Sequence, residues 1–378
     1  MRKTVFHFFL FGMTVLAAAS SSHAASFEYM YGQFRPTAEV VPASAVEPLA
    51  WADESDDQVA LTSFFDRISG GGEGYDGKDG DGKGGKGCGD DCVGNWRDNT
   101  QVWAGADAYK SIGDAILTGT GADPLGLPDS FGMVAGFNTG FGLGESRVRA
   151  QVGASYGAYD FKGRTFDPKS SSLEQQAYLT YGLYKRSDIC CDDRISWGIV
   201  YDNFFGHQWG WAGNSVFLGQ VRGIFGYALN ECNEVGVWGT FHTQNDSVTL
   251  DIAGIAPAAA TRPIRAMNQA NAYWRHNWAF GANSMMYVGA FDQADVASWQ
   301  FGMLNTAPLS HSVSLYGNFN YVAPGSATGR VGAAEEQWNA SVGLVYYLGG
   351  KAVNSTVSGN KGMPLLPVAS NGSLLITN

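Results

Sequence analysis

The stretch RVRAQVGASYGAY, residues 147–159, decides the fold class. Successive side chains of a strand point to opposite sides. Val148, Ala150, Val152, Ala154, Tyr156 and Ala158 therefore share one face, and Arg147, Arg149, Gln151, Gly153 and Ser155 share the other. The apolar face runs for the roughly nine to eleven residues with which a tilted strand crosses a bilayer. In hydrocarbon every backbone group must be paired within the protein, and a sheet achieves that only by closing on itself.

The same alternation recurs along the chain. Phe131, Met133, Ala135 and Phe137 oppose Gly132, Gly136 and Asn138, and Val313, Leu315 and Phe319 oppose Ser312, Ser314, Asn318 and Asn320. Trp338, Ala340, Val342, Leu344, Tyr346 and Leu348 oppose Gln337, Asn339, Ser341 and Gly343. The pattern predicts twelve strands, near residues 100–109, 131–141, 147–159, 174–186, 194–204, 215–229, 234–242, 270–281, 284–292, 297–305, 311–322 and 336–348.

The connections after even-numbered segments are short (GLGES, SDICCDDR, NECNE, GANS, NTAPLS). Those after odd-numbered segments are mostly long, the longest spanning 243–269, with a brief exception at 293–296. Short turns on one rim and long loops on the other mark outer-membrane barrels, the short turns being periplasmic. The expected fold is all-β: a closed antiparallel up-and-down transmembrane β-barrel of about 12 strands over 99–349. With an even number of strands, the residues before the barrel and the tail at 350–378 are both expected on the periplasmic side. A secreted soluble β-sandwich is the alternative.

The flanks and the composition agree with export. Arg2 and Lys3, an apolar run to about Ala19 and Ser22-His23-Ala24 predict a signal peptide over 1–24. Residues 25–98 read as a low-complexity, Gly- and acid-rich periplasmic tether, with one or two helical turns expected at 59–68. Between Trp51 and Asp98, 12 acidic and 5 basic residues carry 7 of the 11 net negative charges of the chain. That balance speaks against a nucleic-acid partner, which needs clustered Lys and Arg. Charged residues make up 16% of the sequence, below the roughly one quarter usual for soluble domains.

Cysteines occur in three places: Cys88 with Cys92, Cys190 with Cys191, and Cys232. Disulfides persist outside the cytoplasm, and the expected turns put Cys190 or Cys191 on the same rim as Cys232, so a bridge is possible. A lone CxxxC does not complete a zinc site. Asp76, Asp79 and Asp81 lack the spacing and closing Glu of a calcium hand. No metal and no cofactor is expected.

Several segments resemble a known family. WRDNTQVWAGADAYK (96–110), FLGQVRGIFGYALNECNEVGVWGT (217–240) and YWRHNW (273–278), together with the MPLLPVASNGS tail, are similar to an uncharacterised planctomycete-type family of exported, barrel-like proteins. The resemblance implies an envelope location and assigns no active site. Ser341, Gly343, Tyr346 and Leu348 resemble the last-strand signal read by barrel-assembly machinery, although they lie about thirty residues before the C-terminus.

The polar faces supply the candidate functional residues. Arg147, Arg149, Gln151, Gln220, Arg222, Asn271, Arg275, Asn318, Asn320, Gln337 and Asn339 are expected to line the lumen, because Arg or Lys facing lipid at midplane costs about 2 to 4 kcal/mol. A ring of arginines would favour anionic small solutes in an open pore. In a plugged barrel the same arginines would pair with groups such as Asp202 or Glu234. His276, between Trp274 and Trp278 on the apolar face, reads as an interfacial residue, and FFGHQWGWAG as a loop over the barrel mouth. The chain has no GxSxG or HExxH, and the adjacent Glu335 and Glu336 do not face one bond from two sides as glycoside hydrolysis needs. The sequence therefore points to a non-enzymatic outer-membrane barrel, in contact with lipid and assembly machinery, expected first to be a passive, porin-like pore for small solutes, with a structural or anchoring barrel of plugged lumen as the alternative.

Overall fold

The computed structural model describes residues 96–111, 130–143, 146–161, 173–210, 213–250, 260–325, 336–354, 356–357 and 361–377. The expected signal peptide, the tether up to residue 95, Cys88, Cys92 and the acidic glycine run lie outside these residues.

A short 3-10 turn at Trp96–Asn99 leads into β1 (Thr100–Lys110), β2 (Ser130–Gly142), β3 (Arg149–Tyr159), β4 (Glu174–Lys185), β5 (Ile195–Trp209), β6 (Asn214–Ala228) and β7 (Asn233–Gln244). A hairpin of β8 (Asp246–Leu250) and β9 (Ala260–Ala266) follows. The wall resumes with β10 (Gln269–Asn277), β11 (Asn283–Phe291), β12 (Ala297–Pro308), β13 (Val313–Pro324) and β14 (Gln337–Tyr347), and the tail ends in β15 (Ile376–Thr377). Twelve strands, β1–β7 and β10–β14, form a closed antiparallel barrel. It is sealed by β1 on β14, from Gln101 opposite Tyr347 to Lys110 opposite Trp338.

Dyad alternation sets the two faces. Along β3 the residues from Arg149 to Tyr159 alternate strictly between buried and half-buried, the polar set inward. Phe225, Val237, Ala272, Val288 and Phe301 stand abreast on five neighbouring strands, all outward. Phe225, Val237 and Val288 are 50%, 56% and 55% exposed. An outward apolar row of this kind girdles the wall. At the short-turn rim it gives way to Trp274, His276, Trp278 and Phe280, where the His276 ring meets Trp278 edge-on at 4.6 Å and its Nδ1 lies 2.9 Å from Asn233 Oδ1.

Three features depart from the sequence reading. The first is the aromatic FFGHQWGWAG segment: β5 continues to Trp209, so His207 lies on a strand and the β5–β6 hairpin rises above the rim. Alternation continues there because Phe205 packs outward on Phe217 at 5.0 Å while Phe204 and Trp209 turn inward.

The second is the stretch 243–269, which contains the β8–β9 hairpin and not loop alone. Val248 and Ile264 from that hairpin join Phe204, Trp209 and Leu218 in an apolar cluster at the long-loop rim.

The third departure is the tail, which does not stand clear of the barrel on the short-turn side. It first crosses the short turns in reverse chain order: Ala352 N donates to His311 O (3.0 Å), Asn354 N to Gly281 O (3.1 Å) and Val357 N to Glu231 O (2.8 Å). Lys361 Nζ then reaches Asp188 at 2.8 Å. From Gly362 onward the chain lies inside the barrel, and Ile376 and Thr377 pair with Ala266 and Arg265 of β9. The tail thus enters at one rim and ends at the other.

Candidate functional site: the filled lumen

A chain segment running through a barrel has no ladder partner, so its buried carbonyls must find side-chain donors. The wall provides them level by level. Near the short-turn rim Tyr184 donates to Gly362 O (2.6 Å), and Arg186 donates to Met363 O (2.8 Å) and Pro364 O (2.5 Å). At mid-height Asn138 and Gln151 both donate to Leu366 O (2.9 and 3.1 Å), and Arg222 donates to Pro367 O (2.7 Å). Higher still, Ala369 N donates to Thr180 Oγ1 (3.0 Å), Asn320 to Gly372 O (3.1 Å), and Gln269 to Ser373 O (2.9 Å).

Missing side chains make the room. A Cβ on Gly153 would stand 2.5 Å from Val368 Cγ2, and one on Gly198 would stand 2.5 Å from Leu366 Cδ1. At both positions a side chain on the wall would press on the tail residue beside it.

Two buried ion pairs organise the interior. Arg222 pairs with Asp202 at 3.0 Å, and the same carboxylate accepts from Thr180 (2.7 Å) and Gln220 (3.0 Å). Arg275 pairs with Glu234 at 2.8 Å, which also accepts from Tyr273 (2.7 Å) and Ser196 (2.9 Å). Near the long-loop end, Asp107 accepts from Tyr159 (2.7 Å) and Asn339 (2.8 Å). A buried charge persists only with such pairing and hydrogen bonding.

At the short-turn rim the titrating groups sit outside the wall strands. Burial pushes the Asp188 and Asp193 carboxyls upward, but Lys361 beside Asp188, and Lys185 with Arg147 beside Asp193, hold both below the usual carboxylate value. Burial, with Arg275 nearby, draws the Arg186 guanidinium down to about 10, where it stays charged at neutral pH.

The family model for a family of unknown function, DUF6666, matches residues 99–376. The chain belongs to that family. The match spans wall and tail together, so the plug lies within the DUF6666 unit. No curated protein matches the sequence.

Among solved structures, this DUF6666 chain is similar to a membrane protein from a study of in-meso crystallisation (11% identity, covering 73% of this chain and 98% of that one, TM-score 0.40). It is similar also to the beta domain of the Bordetella autotransporter BrkA (12%, 66% and 100%, 0.37) and to outer membrane phospholipase A from Escherichia coli (9%, 65% and 95%, 0.38). At such scores the function of the DUF6666 chain has to be argued from its own residues.

The structure places Arg149, Gln151, Gln220, Arg222, Asn271, Arg275, Asn320, Gln337 and Asn339 buried on the inner face, with Asn318 half-buried beside them. Asn271 joins Gln269 and Gln300 in a side-chain cluster, and Asn318 donates to Asn339 Oδ1 at 3.1 Å. Arg147 is a correction: it precedes β3, its side chain is 40% exposed, and it pairs with Asp193 at 3.0 Å on the short-turn rim. Among the described residues Cys190, Cys191 and Cys232 form no disulfide with one another, and Cys88 and Cys92 lie outside those residues. The pairs Arg222 with Asp202 and Arg275 with Glu234 are those the plugged-barrel alternative of the sequence reading named, and Asn138 stands on the polar face expected for it. Sequence reading missed Thr180 and Gln300 as inner residues. It also missed the tail that the wall holds.

Proposed function

We propose that this chain is an exported outer-membrane barrel whose lumen is filled by its own C-terminal segment, and that it serves as a closed structural element of the envelope. The observation that carries this reading is the ladder of wall side chains on the tail carbonyls of Leu366, Pro367, Gly372 and Ser373. A passive pore would leave those amide and guanidinium groups to water. Here they are committed to the plug, so an open channel of the kind the arginines alone suggest requires the tail to leave.

The outward apolar rows and the aromatic rim support lipid as the surrounding medium, since an exposed hydrophobic surface of this extent needs a partner. With the short turns periplasmic, β1 begins at the periplasmic rim and the tail ends toward the cell surface. Export by residues 1–24 and insertion by barrel-assembly machinery reading Ser341, Gly343, Tyr346 and Leu348 complete the proposal.

Conductance of the purified full-length protein in planar bilayers tests it. Insertion without steady conductance at every salt is the expected result. Stable conducting steps from the intact chain would replace the closed barrel with a channel.

A further inference from the structure

The tail does not fill the lumen evenly. Beside it remains a cavity of about 320 Å³, which extends from Asn354 and Val357 at the short-turn rim to the underside of the Ser370–Ser373 turn. That volume lies at the lower end of small-molecule sites.

Its wall is unlike a porin interior. Ile224, Trp238, Met285, Leu304 and Val345 occupy inward positions where a water-filled barrel carries polar side chains. Leu365 and Leu366 of the tail complete the apolar lining. Trp238 meets Tyr287 edge-on at 5.1 Å, which fixes both rings at the cavity surface.

Polar groups converge on this apolar space. Asn277 Nδ2, Trp238 Nε1, Tyr316 Oη, Asn318 Oδ1 and Asn354 Oδ1 are buried, belong to residues lining the cavity, and have no hydrogen-bond partner among the described residues. Asn277 is 1% exposed and Trp238 8%. Leaving a buried donor unmade costs about 1 to 3 kcal/mol, so a set of them around one cavity marks a place for a complementary molecule. The charge there is also uneven. Arg222 and Arg275 are neutralised by Asp202 and Glu234. Arg186, at the rim end, is held by two tail carbonyls and forms no ion pair with a described carboxylate.

We infer that this cavity binds a small amphipathic organic anion, with its carboxylate toward Arg186 and its apolar body against Trp238, Met285 and Leu304. A guanidinium fork matches a carboxylate better than it matches a neutral head, and the apolar walls exclude a fully hydrated ion. The inference rests on the tail remaining in the lumen, because Leu365 and Leu366 form one side of the site.

Calorimetric titration of the full-length protein in a non-ionic detergent with 4-phenylbutyrate, and with its neutral amide, tests the assignment. One-to-one saturable binding of the carboxylate is expected, at least tenfold tighter than the amide. Arg186→Gln should bring the two together, and Leu304→Trp, which fills the cavity, should abolish both. If Leu304→Trp does not fold, Val345→Phe fills the same space from β14. Equal affinity for acid and amide in the native protein overturns the anion assignment. No saturable binding, or binding unchanged in the filled variants, overturns the site. Chemical cross-linking of the tail to the wall separates these outcomes from a loss of the plug itself.

Discussion

Arg222 donates to the Pro367 carbonyl at 2.7 Å while its guanidinium stays paired with Asp202 at 3.0 Å. One wall side chain thus ties the tail to the charge network that organises β4, β5 and β6. Removing one partner of a buried pair leaves the other charge stranded, at a cost of about 3 to 5 kcal/mol. Arg222→Ala should therefore lower the stability of the folded barrel by that order in urea titration. Arg147→Ala, at the exposed Asp193 pair, should cost no more than about 1 kcal/mol. Equal effects would remove the distinction between inner and rim arginines.

The outward apolar row gives a second prediction. Val237 stands in the row running from Phe225 to Phe301, between Phe225 and Ala272. Val237→Arg should destabilise the protein in lipid by about 2 to 4 kcal/mol, the range for a cation at the midplane of an outer-membrane barrel. Refolding titrations in vesicles measure it. A soluble barrel would accept the same substitution with a change near zero.

The rim is predicted to respond to acid in a definite direction. Asp188 and Asp193 have folded-state values below the ordinary carboxylate value, so the stability they contribute is complete above about pH 4. It is lost as the pH falls through their depressed folded values. Protease cleavage of the tail between Lys351 and Lys361 should be unchanged from pH 7 to 5 and should rise only in stronger acid. Asp188→Asn should release the Lys361 contact already at neutral pH. A transition centred near pH 6 would point to a histidine and away from these carboxylates.

A closed barrel resists unfolding by detergent until heated, because every wall strand has two partners. Unboiled protein should therefore run at a different position from boiled protein on a detergent gel. Gly105, opposite Gly343 at the β1–β14 seam, offers a direct variant: a Cβ there would stand 2.7 Å from Gly343 Cα. Gly105→Val should lower the temperature at which the two bands merge. An unchanged temperature would argue against the seam.

The wall was legible in the sequence because a period of two survives wherever one face meets an apolar medium and the other a polar interior, as at Val152 against Gln151 and Val342 against Asn339. The plug was not. Its residues make few ladder bonds, and the segment MPLLPVASNGS shows no period, because its partners are side chains distant in sequence such as Gln151 and Arg222. The signal that existed lay in the wall. Ile224, Trp238, Met285 and Leu304 are apolar at inward positions, which a water-filled lumen does not explain. The β8–β9 hairpin was hidden for a related reason: Pro263, which reads as a strand breaker, lies within β9 opposite Ser247, and Val248 and Ile264 pack on the barrel mouth and not on a repeating surface.

The most direct test of the account is a disulfide between wall and tail. Ala369 N donates to the Thr180 hydroxyl at 3.0 Å on the inner face of β4, whereas Leu179 points outward. In a chain whose native cysteines are replaced by serine, Thr180→Cys with Ala369→Cys should oxidise to a bridged peptide detected by mass spectrometry in nearly every folded molecule. Leu179→Cys with Ala369→Cys should give none. Absence of the bridge at 180, or equal bridging at 179, would contradict a tail that runs through the barrel.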